Sequence, residues 1–271
     1  MTAAIHPTAI VSDHATLGEN VSIGPYCIVG ADVTLGDEVR LVSHVSVDGR
    51  TAIGARTTVY PFSSIGHPPQ DLKFEGEPST VTIGEDCVLR EYVTINPGTA
   101  GGGMETRVGN NCLLMVGVHI AHDCRVGNYV VMANQASLAG HCVVDDYVRF
   151  GGICGVHQFV RIGAHAFVGA MSFVENDVIP YGSVLGNRAY LGGLNLVGLK
   201  RRKFDRESIH ALRAAYRMIF SNEGTLRERI EDAAEMFKDE KLVEDVIDFI
   251  RTPSERALCM PRNGNGSSTD E

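Results

Sequence analysis

The chain has 271 residues, 44% hydrophobic and 21% charged, with a formal net charge of −9. That length holds one or two ordinary domains, and the acidic balance argues against a general nucleic-acid binder, whose phosphate contacts need surplus Lys and Arg. No apolar run is long enough to span a bilayer, and residues 1–10 lack the basic start and apolar run of a secretory signal, so a cytoplasmic protein is expected.

The first element is a repeat. Every sixth residue is Ile, Leu or Val through Ile5, Val11, Leu17, Ile23, Val29, Leu35, Leu41, Val47, Ile53, Val59 and Ile65. The series resumes at Ile83, Leu89 and Ile95, then runs with Met132 and Phe150 as its exceptions from Val108 to Val174. A period of six fits neither a helix nor a plain strand and marks a repeat architecture. One short strand and one turn per hexad, with three hexads closing each coil, gives a prism with three flat faces and aliphatic residues stacked down its axis. Gly often follows the aliphatic residue, as at Gly18, Gly24 and Gly54, and is read as supplying the backbone angles of a tight turn.

The fourth residue after the aliphatic position is small or β-branched. Cys27, Cys87, Cys112, Cys124, Cys142 and Cys154 all occupy this slot, so they are read as small apolar packing residues rather than as metal or redox groups. Cys259 lies outside the repeat.

Two segments interrupt the series. In 66–82, Asp71 and Glu77 fall where inner aliphatics belong; an unpaired charge cannot sit in that stack, so this segment is expected to loop outward. In 97–107 the phase slips by one residue, and Gly101-Gly102-Gly103 predicts a flexible excursion. Loops on a rigid scaffold are where sites are commonly built.

The repeat ends near Pro180, and after Asp205 the period becomes helical. Ile209, Leu212, Tyr216, Ile219 and Phe220 share a face behind Asp205 as N-cap. Thr225 and Glu228 form a capping box for a second helix, and Leu242, Val243, Val246, Ile247 and Ile250 mark a third, stopped by Pro253. The expected organisation is a repeat domain over 1–190, a small helical domain over 191–260, and a disordered tail over 261–271. The helical domain opens on Lys200-Arg201-Arg202-Lys203, which reads equally as a solvated face or as a docking patch for an acidic partner.

The chemistry is carried by histidines. His119 and His122 sit in the run VHIAHDC. His141 comes three hexads and one residue after His122, and His157 comes two residues short of three hexads after His141. Since three hexads make one coil, His122, His141 and His157 fall on successive coils near one edge. A histidine next to a carboxylate, here Asp123, is a natural general base near neutral pH. No nucleophile elbow is present to suggest covalent catalysis.

The motifs IHPTAIV at residues 5–11, QDLK at 70–73, HIAHDC at 119–124, LAGH at 138–141, VHQF at 156–159, GN at 186–187 and GLKRR at 198–202 together resemble the bacterial UDP-N-acetylglucosamine acyltransferases that begin lipid A, and hence lipopolysaccharide, synthesis. They span both domains in the family's order. The resemblance implies a left-handed parallel β-helix of hexapeptide repeats followed by a small helical domain, assembled as a homotrimer with no cofactor. It implies transfer of a 3-hydroxyacyl chain from acyl carrier protein to the 3-position of UDP-N-acetylglucosamine. His122 would be the general base, Asp123 its supporting carboxylate, and the Gly140 N–H an oxyanion donor. His119, His141, His157 and Gln158 would position sugar and acyl groups, Gln70, Asp71 and Lys73 would grip the sugar, and Asn195 and Arg201 would contact the nucleotide or phosphopantetheine. Ala170 would floor the acyl groove; one methyl larger than the Gly of some relatives, it implies chains of about twelve to fourteen carbons, since a buried methylene is worth about 0.8 kcal/mol.

The chain departs from well-known members at Asn96-Pro97, where they carry His-Arg, and at Val197, where they often carry Glu. Contacts made by those side chains are lost or replaced, which leaves both a 3-hydroxyl and a 3-amino sugar open. Two rivals stand beside this reading. A γ-type carbonic anhydrase would recruit His119 and His122 to zinc but lacks the helical domain. A structural solenoid needs neither the histidine cluster nor the 66–82 loop.

Overall fold

The computed structural model describes residues 3–262. Among them, three sheets of 11, 9 and 8 strands run the length of the repeat, parallel throughout except for the last strand of the first. They are called faces A, B and C here, in the order in which the chain visits them. Strand Ala4–Ile5 opens face A and pairs with Ser22–Ile23 in register Ala4 to Ser22, three hexads and so one coil later. Strands are mostly two residues long because each hexad must also turn a corner. Ile23, Leu41, Val59, Leu89 and Leu114 fill the interior of face A at 0–1% exposure, so the core is an axial column.

The interruptions show as register jumps. Ser64 pairs with Thr94, five hexads on instead of three, and Thr94 pairs with His119, four hexads and one residue on. Segment 66–79 carries no strand, and Leu72 at its tip is fully exposed.

The glycine reading needs correcting. Gly18, Gly24 and Gly54 do not hold the left-handed angle; that falls two residues later, on Asn20, Tyr26 and Arg56, with φ between 57° and 59°. The glycines are required by close stacking instead. A Cβ on Gly24 would lie 1.7 Å from the Val42 carbonyl oxygen, and one on Gly54 would lie 2.6 Å from the Gly84 carbonyl carbon. At these glycines the next coil approaches too closely for a side chain.

The cysteine slot is fully buried, with Cys27, Cys87, Cys124 and Cys142 at 0% exposure. The thiols donate to carbonyls along the stack, Cys124 Sγ to Ala139 O at 3.1 Å and Cys142 Sγ to His157 O at 3.2 Å. Burial pushes the Cys124 thiol well above its ordinary pKa, so no thiolate is available there.

The prism ends in a hairpin, Gly182–Leu185 against the antiparallel strand Tyr190–Leu194. Four helices follow among the described residues: α1 (Leu196–Arg201), α2 (Arg206–Ile219), α3 (Leu226–Met236) and α4 (Lys241–Arg251). Asp205 caps α2, and Thr225 with Glu228 closes the capping box of α3. Tyr181 donates to Asp245 of α4 at 2.6 Å, and Arg161 of the prism lies over Phe249. After α4 the chain returns to the prism, where Leu258 bridges to Asp177 in parallel. At the end of the described residues the Arg262 guanidinium lies over the Tyr190 ring. The rest of the tail expected over 261–271 falls outside the described residues.

Candidate active site

The corner between faces B and C gathers His122, Asp123, Gly140, His141, His157 and Gln158 of the sequence-predicted residues. Three slots on successive coils make it. Asp123, His141 and Phe159 share one slot, His122, Gly140 and Gln158 the slot before it, and His157 the slot before that. Because the histidine spacings depart from three whole hexads, the rings fan across the corner instead of stacking in one column. The rings of His122 and His141 meet edge-on at 5.0 Å, and His141 stacks on Phe159 at 4.4 Å.

His122 Nδ1 lies 2.8 Å from Asp123 Oδ2, and the Asp123 side chain has no exposed surface. A buried carboxylate must have its lone pairs satisfied. Thr99 does this twice: its N–H donates to Oδ1 at 2.9 Å and its hydroxyl to Oδ2 at 2.6 Å. The Asp123 backbone N–H donates to Thr106 Oγ1 at 2.8 Å, which fixes the left-handed residue that carries the carboxylate. The Gly-rich segment 97–107 is therefore clamped onto Asp123, not a free excursion. Gly102 allows it, since a Cβ there would fall 2.0 Å from Asp123 Cγ. Thr99 was not legible in the sequence; the one signal is a hydroxyl residue in a glycine-rich loop just ahead of the histidine run.

Asp123 accepts from its neighbours, so the His122 ring proton sits on Nδ1 and Nε2 is left as the basic nitrogen. Gly140 gives that ring its space: a Cβ there would lie 2.6 Å from His122 Cε1. The Gly140 N–H has no hydrogen-bond acceptor among the described residues. His119, on the strand before, has its Nδ1 2.7 Å from the Thr94 hydroxyl, and burial followed by His122 lowers its pKa. Burial also lowers that of His141, against the opposing pull of Asp123. Asp71 and Glu255 act on His141 too, which puts the 66–79 loop and the C-terminal segment within electrostatic reach of the corner. In that loop Gln70 and Lys73 are exposed, and Asp71 accepts from the Lys73 N–H at 3.0 Å. The two insertions are tied together where Ala100 N–H donates to Glu77 at 2.9 Å. Asn96, the departure noted above, anchors the loop by donating to His67 O at 3.1 Å.

His122, Asp123 and His141 are close enough, within 4.8 Å, to hold a metal ion. The Asp123 oxygens are already committed to Thr99 and His122, however, and His119, named in the zinc reading, is not part of that cluster.

Asn195 and Arg201 lie elsewhere. With Val131, Arg149, Phe167, Val197 and Arg202 they line a cleft of about 910 Å³ between α1 and the outer surface of face A. Asn195 caps α1 by accepting from Gly198 N–H and donates to His165 O at 2.9 Å. In a three-faced prism the corner between B and C lies opposite face A. One chain therefore keeps the histidine corner and this cleft on opposite sides. Ala170 is exposed on the corner between A and B and lines neither.

The chain matches the family model of bacterial transferase hexapeptide repeats over 14–49 and 105–140. It also matches that of the second domain of UDP-N-acetylglucosamine O-acyltransferase over 177–259. An acyl-[acyl-carrier-protein]–UDP-N-acetylglucosamine O-acyltransferase of Rhizobium etli is 48% identical over 97% of both chains. The chain belongs to the UDP-N-acetylglucosamine O-acyltransferase family. A Methylobacterium radiotolerans member is 57% identical over 75% of each chain. The solved structure of the Francisella novicida UDP-N-acetylglucosamine acyltransferase superposes with a TM-score of 0.92 at 37% identity, covering 96% of this chain and 95% of that one. The fold is thus the left-handed parallel β-helix with a C-terminal helical region, and the protein is an acyltransferase. No helix among the described residues is long and apolar enough to cross a membrane.

Proposed function

We propose that this acyltransferase moves an (R)-3-hydroxyacyl chain from acyl carrier protein to the 3-position of UDP-N-acetylglucosamine, with His122 as general base. The observation that carries the reading is the buried Asp123, held by Thr99 and facing His122 Nδ1 at 2.8 Å. His122 Nε2 takes the proton from the sugar nucleophile as its oxygen attacks the thioester carbonyl. Asp123 stabilises the imidazolium that forms, and the uncommitted Gly140 N–H suits the developing oxyanion. The C–S bond then breaks, and the imidazolium returns its proton to the departing thiolate.

The working form is a homotrimer. Two features support it. The histidine corner of one chain can meet the cleft holding Asn195 and Arg201 only on a neighbouring chain. The separate corner between A and B carries an exposed aromatic ladder, Tyr26, His44, Phe62 and Tyr92, with ring centroids 4.9–5.2 Å apart, continued by exposed Ile153 and Met171. An apolar edge of that length suits burial against copies of the chain. A groove floored by Ala170 needs the same second chain. His141, His157, Gln158 and the Gln70–Asp71–Lys73 loop position the sugar and acyl groups, and the cleft arginines meet the diphosphate or phosphopantetheine. Both substrates place the reaction in the cytoplasm. The test is a mass-spectrometric assay with UDP-N-acetylglucosamine, its 3-amino analogue and a ladder of 3-hydroxyacyl carrier proteins. Acylation of the hydroxyl sugar supports the reading; transfer to the amino analogue alone changes the nucleophile, and transfer to neither sinks it.

A further inference from the structure

The segment after α4 crosses back over the prism as a strap. Asp177 N–H donates to Ala257 O and Cys259 N–H to Asp177 O, both at 2.8 Å, and Leu191 N–H donates to Met260 O at 3.0 Å. The anchor beneath is strong: Asp177 is 1% exposed and accepts from the Arg161 N–H at 2.8 Å and from its guanidinium at 2.7 Å. The strap is thus held at a fixed register on the last coil, and it delivers Arg256 to the histidine corner. There Arg256 Nε donates to Gln158 O at 2.9 Å, and its Nη2 meets His157 Nδ1.

A guanidinium only donates, so the ring nitrogen it meets must accept. The competing partner for His157 Nδ1 is Gln158 O, which also accepts from Arg256 Nε and lies at 3.3 Å, farther from Nδ1 than the Arg256 guanidinium. We propose that Arg256 is a positioning residue that sets the tautomer of His157, holding Nδ1 as acceptor and leaving the ring proton on Nε2. His157 then presents a fixed N–H donor, matched to a hydroxyl or carbonyl oxygen of the substrate. Without the guanidinium the ring can turn to the other tautomer, with Nδ1–H donating to Gln158 O, and Nε2 would then accept instead of donate. The catalytic consequence rests on the reading of His157 as a substrate-positioning residue; the tautomer itself does not.

The test uses full-length, deuterated protein labelled with 15N-histidine, read by long-range 1H–15N correlation at a pH where the ring is neutral. In the parent protein His157 should show a protonated Nε2 and a bare Nδ1. Arg256→Met should mix the tautomers and lower kcat/KM by about three- to tenfold, the value of one hydrogen bond, while Arg256→Lys, also donor-only, should keep the parent tautomer. A protonated Nδ1 in the parent, or a His157 tautomer unchanged in Arg256→Met, overturns the proposal. If the tautomer behaves as stated and His157→Ala keeps full activity, the tautomer proposal stands and the substrate role of His157 falls.

Discussion

The Thr99 hydroxyl and His122 Nδ1 meet the same oxygen of Asp123, at 2.6 and 2.8 Å. Thr99 also gives its backbone N–H to the other oxygen, so one residue of the glycine-rich segment holds both ends of the carboxylate. That arrangement makes Asp123 a fixed acceptor facing the imidazole.

Thr99→Val removes one donor and keeps the shape. Its rate should fall about tenfold, as expected for a hydrogen bond to a charged group. Thr99→Ser, which keeps the hydroxyl, should restore it. A Thr99→Val enzyme with the parent rate would show that the clamp is only structural.

Glycines of the site separate by position. A Cβ on Gly140 would press on His122 at 2.6 Å, whereas one on Gly101 meets nothing within 4 Å. Gly140→Ala should displace the base and cost roughly 10²-fold in kcat, in line with the effect of a small misplacement at a reacting centre, while Gly101→Ala should be silent in activity and melting temperature. Equal activity in the two variants would contradict this packing account.

His165 gives the stability profile a direction. Burial first, and then Arg202, depress its pKa to about 4. The folded state therefore binds this proton less readily than the unfolded state does. This contribution is complete above the unfolded value of about 6.5 and is lost as pH falls toward 4. The melting temperature should drop across that window, and His165→Gln should flatten the drop. A parent curve level between pH 6.5 and 4 would refute the assignment.

If the site is shared between chains, His122→Ala and Arg201→Ala each disable a different half. Co-expressed in equal amounts, the two should assemble about a quarter of their sites from intact halves by random assortment in a closed ring, giving activity above the mean of the two parents. Mixed oligomers no more active than that mean would place both residues in a one-chain site.

Much of this was legible in the sequence because the hexad forces each residue type into a repeated slot. The aliphatic column, the cysteine slot and the caps at Asp205 and Thr225 follow from local spacing. The short helix α1 did not show, since six residues carry no helical period. The glycine slot was misread because its cause is contact with the next coil, not its own torsion angle. Thr99 and Arg256 were invisible for the same reason: their partners lie 24 and 99 residues away in the chain. The division between histidine corner and cleft needed the prism itself, since motif order along the chain does not say which face a motif occupies.

The central claim is that His122 removes the proton from the sugar nucleophile. The most direct measurement is single-turnover acyl transfer from 3-hydroxyacyl carrier protein to UDP-N-acetylglucosamine by His122→Ala, with assembly and melting temperature checked against the parent. The account predicts a folded, assembled protein whose rate falls by about 10²–10⁴, the usual worth of a general base, and which still binds the nucleotide sugar. A His122→Ala protein with near-parent turnover would contradict it.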